Sequence, residues 1–431
     1  MITLPVNVYQ ALQRRLEFVF AEFDNVYVSF SGGKDSGLLL NLVIRFMRER
    51  GITRKIGVFH QDFEAQYTAT TEYVERTMTA NPDLIEPIWF CLPMTVRSAC
   101  SMFEKHWTPW EPAKRDIWVR DLPQHRGVYT IDNHPFDFYR FCMPQEDVYR
   151  EFGPWFRRRR GGGRTVGLVG IRTAESLNRW RAIMADKDRY RGRSWTTAID
   201  DDVWSAYPLY DWKTEDVWTA TARFGFDYNR LYDLFHLAGV PLAKMRVASP
   251  FNDYATDSLK LYRVIEPDVW AKMLGRVQGA NFAALYGGTR VMGWKSIRLP
   301  PGHSWKSYVE FLLATLPAET AATYREKFGT SIAFWRDRGG VLSAQTIAEL
   351  EAAGIKFTVK GATNYKTDKV AVVFDEYPDD LEVTEFQTAP SWKRMAVCIL
   401  KNDHLCKFMG FSQTKEEAER RRKAIQKYMA L

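Results

Sequence analysis

The sequence has few cysteines, and none is placed to build a metal or disulfide module. There are five in 431 residues, and no two of them stand in a Cys-x-x-Cys spacing. An odd number at irregular spacing argues against a disulfide framework and against a zinc ribbon. The five are Cys91, Cys100, Cys142, Cys398 and Cys406.

Long hydrophobic runs are absent as well. A membrane-spanning helix requires about 18 consecutive apolar residues, and no stretch of the sequence is that long. The first residues, Met1-Ile2-Thr3-Leu4-Pro5, lack the pattern of a signal peptide. With 46% hydrophobic and 26% charged residues, the composition is that of a soluble globular protein. We therefore expect a cytoplasmic protein with no membrane contact, long enough for about two or three domains.

Positive charge is in modest excess. Lysine and arginine number 60 against 52 aspartates and glutamates, a net charge of +8. This balance suits a nucleotide or a nucleic-acid partner without identifying either, since it measures attraction to anions in general. The 15 tryptophans are mostly expected in the core, because large aromatic side chains are usually buried.

One stretch near the N-terminus organises the chain. Val26 to Phe30 is an apolar run typical of a buried parallel strand, and the run Gly37 to Ile44 is typical of a helix. Between them stands Ser31-Gly32-Gly33-Lys34-Asp35-Ser36. Glycines allow close backbone approach, and the first-turn N–H groups and the helix dipole favour an anion, so this stretch predicts a phosphate loop. Its spacing is too short for a Walker A motif.

Strand and helix patterns alternate around this loop. Further strands are predicted at Lys55 to His60, Leu84 to Cys91 and Thr165 to Gly170. Alternation of this kind implies a parallel sheet, in which ligands bind at the carboxyl ends of the strands. That rule places Asp62 and Arg172, which each follow a predicted strand, near the phosphate loop. Glu175 stands four residues before Arg179, so an ordinary ion pair within a helix is the alternative explanation for it.

Residues 92–164 lose this regularity and are rich in proline and aromatic residues, which indicates an insertion or a lid. The stretch ends in Arg157-Arg158-Arg159-Arg160 and Arg164. These arginines could contact phosphates or a nucleic-acid backbone. We favour a mobile, solvated basic loop.

We divide the chain into an α/β domain over residues 1–245, a helical module over 246–340 and a small α+β unit over 341–431. In the last unit, Met395–Lys401 and Leu405–Phe411 are predicted to form a hairpin, and Thr414 to begin a charged helix.

Four segments resemble one family. Ser31–Ser36 resembles the pyrophosphate loop of the ATP pyrophosphatase (PP-loop) superfamily, and Phe59-His60-Gln61-Asp62 resembles a "His-x-Asp-Thr-Gly" strand exit. Gly170 to Ser176 resembles "Gly-x-Arg-x-x-Glu-Ser", and Pro208 to Trp218 resembles "Pro-Leu-x-x-Trp-x-x-x-Asp-Val-Trp". Together they are similar to the phosphoadenosine phosphosulfate (PAPS) reductase family. The whole chain, with Leu299 to Tyr308, is similar to the immunoglobulin-binding regulator A subfamily, often found beside a ParB/sulfiredoxin-like partner.

The resemblance implies a Rossmann-like, adenine nucleotide alpha hydrolase-like fold. It also implies binding of ATP or PAPS with Mg²⁺. The reductases need a cysteine in a Glu-Cys-Gly-x-His setting, which this sequence lacks, and they tend to lose the loop lysine, which it keeps as Lys34. Some members of the family bind an iron–sulfur cluster through paired cysteines, which this sequence also lacks, so no cluster is expected. Because the loop lysine is kept, the leading hypothesis is an enzyme that cleaves ATP between the α and β phosphates.

In that hypothesis the loop residues Ser31, Gly32, Gly33, Lys34 and Ser36 hold the pyrophosphate. Asp35 organises the loop or Mg²⁺, Asp62 lies near the nucleoside, Arg172 offsets phosphate charge, and Glu175 belongs to the same site. Two alternatives remain: sulfonucleotide reduction in sulfur metabolism, and a nucleotide-sensing or DNA-associated regulator that acts without turnover.

Overall fold

The computed structural model describes residues 6–175, 183, 188–242, 245–252, 256–286, 299–362, 369–381, 383 and 389–409. The chain forms two compact units. The first comprises Met1–Val96, Trp107–Pro250 and Leu261–Val277, and the second comprises Arg97–His106, Phe251–Lys260 and Gln278–Leu431. No helix among the described residues is both long enough and apolar enough to cross a membrane.

A seven-stranded sheet forms the centre of the first unit, as far as the structure describes it. Its order is β6-β3-β2-β1-β7-β9-β8, and every neighbouring pair is parallel except β8–β9. The predicted α/β fold class with a mostly parallel sheet is confirmed. The strands are β1 (Asn25–Ser29), β2 (Ile56–Gln61), β3 (Ile85–Phe90), β6 (Val128–Tyr129), β7 (Thr165–Val169), β8 (Thr196–Asp200) and β9 (Val203–Ala206); β4 (Val96–Arg97) and β5 (His106–Trp107) form a separate short ladder.

Helices flank this sheet because their apolar faces need burial. α1 begins with a capping box between Asn7 and Gln10 and buries Leu12, Leu16 and Val19. β1 is buried through its middle, as expected of a parallel strand covered on both faces. The helices of the first unit are α1 (Val8–Glu22), α2 (Lys34–Glu49), α3 (Thr68–Thr79), α4 (Gln145–Arg159), α5 (Thr214–Phe224), α6 (Leu231–Leu237) and α8 (Pro267–Arg276), and the residues of α7 (Thr256–Ile265) are divided between the two units.

The irregular stretch 92–164 contains several elements that its composition concealed, and two of them, β6 and α4, belong to the layers around the main sheet. β6 extends the sheet beyond β3, and α4 carries Pro154 and buries Phe152 and Phe156. The expectation of a mobile, solvated loop at the arginine run is wrong for Arg157–Arg160, because these residues end α4. There they complement the helix dipole.

Each of these four arginines also has a carboxylate partner. Arg157 pairs with Asp202, Arg158 with Asp137, and Arg159 and Arg160 both with Glu86, at N–O distances of 2.6 to 2.9 Å. Their charge is therefore largely balanced within the first unit.

The second unit combines helices with a three-stranded antiparallel sheet of order β10-β12-β11. A π-helical turn, Phe334–Arg338, leads from α11 into this sheet. The elements are α9 (Ala280–Tyr286), α10 (Trp305–Thr315), α11 (Ala318–Ala333), β10 (Gly340–Leu342), α12 (Ala344–Ala352), β11 (Thr358–Ala362), β12 (Val370–Val373) and α13 (Trp392–Leu400).

The hairpin predicted from Met395–Lys401 and Leu405–Phe411 is wrong, because Met395 to Leu400 belong to α13 and Lys401 is its C-cap residue. Ser391 caps this helix, and Met395, Cys398 and Ile399 are buried on one face. A continuous apolar run carries no periodicity that separates a strand from a buried helix, so only packing decided the outcome. The helix predicted after Thr414 lies outside the described residues.

Candidate functional site

The turn between β1 and α2 requires glycine. Gly32 has a φ of +74°, in the left-handed region. A Cβ atom on Gly32 would lie 3.0 Å from Val74 Cγ2 and 3.1 Å from Thr70 Cγ2, so α3 leaves no room for a side chain. The chain then enters α2 at Lys34, with Gly33 as the N-cap residue.

Both loop serines hold the turn closed. The Ser31 amide donates to Ser36 Oγ at 3.1 Å, the two hydroxyl oxygens lie 3.0 Å apart, and Ser36 Oγ donates to the Gly33 carbonyl at 3.2 Å. The next two amides, of Asp35 and Ser36, belong to the first turn of α2. Within the described ranges, no acceptor lies within hydrogen-bond distance of the Asp35 or Ser36 N–H, as expected for a helix N-terminus. These two donors are available to an anion.

A second loop meets the first because of the strand order. β1 and β7 are neighbours, but after β1 the chain continues to β2 on one side, whereas after β7 it continues to β8 and β9 on the other. In sheets of this kind a ligand crevice forms where the connections diverge in this way. Gly170, directly after β7, allows the closest approach: a Cβ atom there would lie 3.0 Å from the Asp35 carbonyl carbon and from the Ser36 nitrogen. The exit of β7 therefore packs against the first turn of α2.

This contact brings Arg172 to Asp35. Arg172 Nε lies 2.6 Å from Asp35 Oδ1, and Arg172 Nη2 lies 3.1 Å from Glu175 Oε1. The Arg172 side chain is only 2% exposed. The structure therefore joins three residues that the sequence placed in one site. The alternative partner of Glu175, Arg179, lies outside the described residues.

Lys34 lies on the other side of the same carboxylate. Its Nζ is 3.1 Å from Asp35 Oδ2, and its side chain is 8% exposed. Burial lowers the pKa of Lys34; Asp35 opposes that shift, whereas the positive charges of Arg172 and Arg246 add to it. Arg246 itself is exposed and donates to the Glu175 carbonyl at 3.2 Å. Among the described residues the cluster thus holds three cationic side chains and two carboxylates, a net positive charge beside the loop.

Sequence analysis missed three residues of this site. Arg246 is one, and the others support the loop from the segment that begins α6. Asn229 is fully buried and donates to the Gly32 carbonyl and to Thr70 Oγ1, both at 2.9 Å. The Tyr232 hydroxyl accepts a hydrogen bond from the Lys34 amide at 2.9 Å. No local pattern marks these residues, because their contacts join segments far apart in the chain.

Asp62 occupies a different environment. Its carboxylate is fully buried and accepts from Trp89 Nε1 at 2.7 Å, from the Glu64 amide at 2.8 Å and from Arg120. Burial alone would raise the pKa of Asp62, but Arg120 and the hydrogen bonds outweigh it, and the pKa lies below its usual value. The carboxylate thus holds the exit of β2 in place, and its contact with a nucleoside stays a prediction.

The donor set around Asp35 does not fit a magnesium ion. Its two carboxylate oxygens each face a cation, Lys34 on one side and Arg172 on the other. Among the described residues there is no group of three or more His, Cys, Asp or Glu side chains placed to hold a metal. In this arrangement the Asp35 carboxylate lies between the two cations and is neutralised by them.

Comparison with known sequences gives two matches. The profile described as "Domain of unknown function (DUF3440)" matches residues 239–420. The Escherichia coli (strain K12) protein named "Uncharacterized protein YbdN" is 34% identical over 423 residues, covering 96% of this chain and 93% of that protein.

Comparison with solved structures gives weaker likenesses. A PAPS reductase from Candida auris, in a phosphate complex, is 16% identical with a TM-score of 0.29, covering 53% of this chain and 85% of that one. An FMN adenylyltransferase from Candida glabrata is 13% identical with a TM-score of 0.31, covering 52% and 57%. Scores this low carry no argument about activity, which must come from the site itself.

Proposed function

This chain belongs to the family of Escherichia coli YbdN, and from the geometry of its β1–α2 loop we propose that it is an ATP-using enzyme that cleaves the bond between the α and β phosphates. The products are pyrophosphate and either AMP or an adenylylated acceptor. ATP is the proposed substrate, and PAPS is the alternative ligand of the same loop.

The observation that carries this proposal is the meeting of two loops at the start of α2. The amides of Asp35 and Ser36, which make no hydrogen bond within the described residues, belong to the same helical turn as Lys34, while Arg172 approaches this turn from β7. A single short turn with one lysine is a compact binding site for a pyrophosphate group. Arg172 enters from the neighbouring strand, where it can balance charge nearer the α phosphate.

The proposed chemistry needs positioning and charge stabilisation. An acceptor oxygen or water attacks the α phosphorus, the bond from that phosphorus to the α–β bridging oxygen breaks, and pyrophosphate leaves with the electron pair. A proton carried by the attacking oxygen passes to the solvent. The negative charge that develops on the leaving group is stabilised by preorganised amides and cationic side chains, the usual means of catalysis in phosphoryl transfer. A Mg²⁺ ion would enter with the phosphates of the nucleotide.

Thiol chemistry is less well supported. All five cysteines are free. Burial raises the pKa of Cys91, of Cys142 and of Cys398, and raises that of Cys100 to about 12. Sulfonucleotide reduction needs a thiolate nucleophile, which a buried thiol with a raised pKa supplies poorly.

The deciding experiment follows the phosphates. ATP labelled at the α and γ positions is incubated with the protein and Mg²⁺, with and without a ParB/sulfiredoxin-like candidate partner, and the products are separated by chromatography. We expect labelled AMP, or a labelled acceptor, together with pyrophosphate. ADP and orthophosphate as the primary products would refute the proposed bond cleavage. Binding of ATP without any turnover would support the nucleotide-sensing regulator.

Lys34→Ala should weaken ATP binding by about 10- to 100-fold, because it removes a charged hydrogen-bond donor from the proposed pyrophosphate binding site. Isothermal titration with ATP and with PAPS measures the effect. Lys55→Ala is the control, since Lys55 is exposed and precedes β2 at the opposite edge of the sheet. Unchanged affinity for both nucleotides in the Lys34 variant would remove this lysine from the site.

A further inference from the structure

We propose that the Tyr232 hydroxyl is a direct ligand of the bound phosphate group, to which it donates a hydrogen bond while it accepts one from the Lys34 amide. This inference rests on the proposed function and adds to it a binding residue contributed by α6.

The position of Tyr232 is the first support. The side chain is 3% exposed and reaches the loop from 198 residues further along the chain. Its hydroxyl accepts from the Lys34 amide at 2.9 Å, and its ring lies beneath the Lys34 ammonium, 5.6 Å from Nζ to the ring centroid. A Cβ atom on Gly33 would lie 3.5 Å from the hydroxyl, so the oxygen faces the glycine turn directly.

The second support is the hydrogen-bonding capacity of a phenol. A tyrosine hydroxyl has one proton to donate and can accept at the same time. The Lys34 amide uses the accepting side, and in the described part of the chain the Tyr232 hydroxyl donates no hydrogen bond. The Lys34 amide donates to Tyr232 and cannot donate directly to an anion, but it can still act on an anion through the hydroxyl. It polarises the hydroxyl, which presents the donor one group further out.

The protonation state agrees with a donor role. Burial raises the pKa of Tyr232, and the charge of Asp35 adds to this, against the opposing effect of the Lys34 amide. The hydroxyl therefore keeps its proton throughout the neutral and mildly alkaline range. A phosphate group, which carries only acceptor oxygens when ionised, is the ligand that such a donor suits.

The ring is held firmly enough to act as a preorganised donor. It packs edge-on against Trp218, with 5.3 Å between ring centroids, and against Phe235, with 6.3 Å. Three residues earlier, Asn229 binds the Gly32 carbonyl at 2.9 Å. The loop and the hydroxyl are thus fastened to the same short segment, which fixes their spacing before a ligand arrives.

The test compares Tyr232→Phe with the wild type by isothermal titration, using ATP, inorganic pyrophosphate and adenosine. We expect ATP and pyrophosphate to bind about tenfold more weakly, because one hydrogen bond to a charged group is lost, and adenosine affinity to stay the same. Phenylalanine keeps the ring contacts, so the melting temperature should not change. Tyr228→Phe is the matched control: its hydroxyl is bound to Asp233 at 3.0 Å, on the exposed side of the same segment.

The outcomes separate the two proposals. Normal pyrophosphate binding by both the wild type and Tyr232→Phe would overturn the role of Tyr232 and leave the proposed function standing. No binding of ATP or pyrophosphate by the wild type would overturn both. An equal loss of affinity for all three ligands, with a lower melting temperature, would overturn the proposal and show that Tyr232 only stabilises the fold.

A measurement on the wild type needs no variant. In protein labelled with ¹³C at tyrosine Cζ, pyrophosphate should shift a tyrosine resonance that adenosine leaves unchanged. The absence of any such shift at saturating pyrophosphate would overturn the proposal.

Discussion

Arg172→Met should abolish measurable ATP binding and lower the free energy of unfolding of the first unit by about 3–5 kcal/mol, the usual cost of removing one partner from a buried ion pair. The guanidinium bridges Asp35 and Glu175, and it also approaches the Trp212 carbonyl and Thr214 Oγ1 at 3.4 Å. Without it, Asp35 and Glu175 would face the loop with one positive charge fewer. That change opposes both folding and the approach of a phosphate.

Two variants separate these effects. Arg172→Lys keeps the charge, but a single ammonium cannot reproduce the fork that reaches both carboxylates, so we expect a partial loss of stability and of affinity. Arg48→Met is the control, because Arg48 is half-exposed in the last turn of the same helix α2 and pairs with Asp83. Its loss should cost less than about 1 kcal/mol. Urea unfolding and isothermal titration give the two quantities. If Arg172→Met had the ATP affinity and the free energy of unfolding of the wild type, Arg172 would not be part of the binding site.

Glu64→Gln should destabilise the first unit by about 3 kcal/mol or more, since it removes a buried charge and leaves Arg276 in the interior. Glu64 is fully buried and the Arg276 side chain is 1% exposed. The carboxylate accepts Arg276 Nε at 2.9 Å and Nη2 at 3.1 Å, and also the amides of Trp110 at 2.7 Å and Val119 at 3.0 Å. The Glu64 side chain therefore connects three segments: the residues that follow β2, the residues that follow β5, and helix α8.

The matched control is Glu49→Gln, which breaks an exposed pair with Arg45 four residues away on α2. We expect it to cost about 0.5 kcal/mol or less. Adding Arg276→Met to Glu64→Gln should recover part of the loss, because the second substitution removes the uncompensated charge. A Glu64→Gln protein that unfolds at the wild-type urea concentration would show that the Arg276 charge is satisfied by its other neighbours, Glu111 and the Thr108 carbonyl.

The sequence by itself determined the elements around the loop. The apolar run of β1, the glycine pair and the helical pattern of α2 are all local, and so is the alternation that predicts a parallel sheet. Gly32 illustrates why such inference works: its left-handed φ is a property of one residue in one turn. Where periodicity was missing, at α4 and α13, local inference failed.

The tertiary structure alone decided how the site is assembled. Arg172 meets Asp35 across 137 residues and Tyr232 meets Lys34 across 198. Both contacts depend on which strand lies beside β1 and on which segment packs over the loop. Strand order follows from the packing of the whole sheet, and no residue pattern in one segment encodes the partner in another. The same reason explains why the sequence left two roles open for Asp35, organising the loop or holding Mg²⁺, whereas in the folded protein its carboxylate lies between two cations.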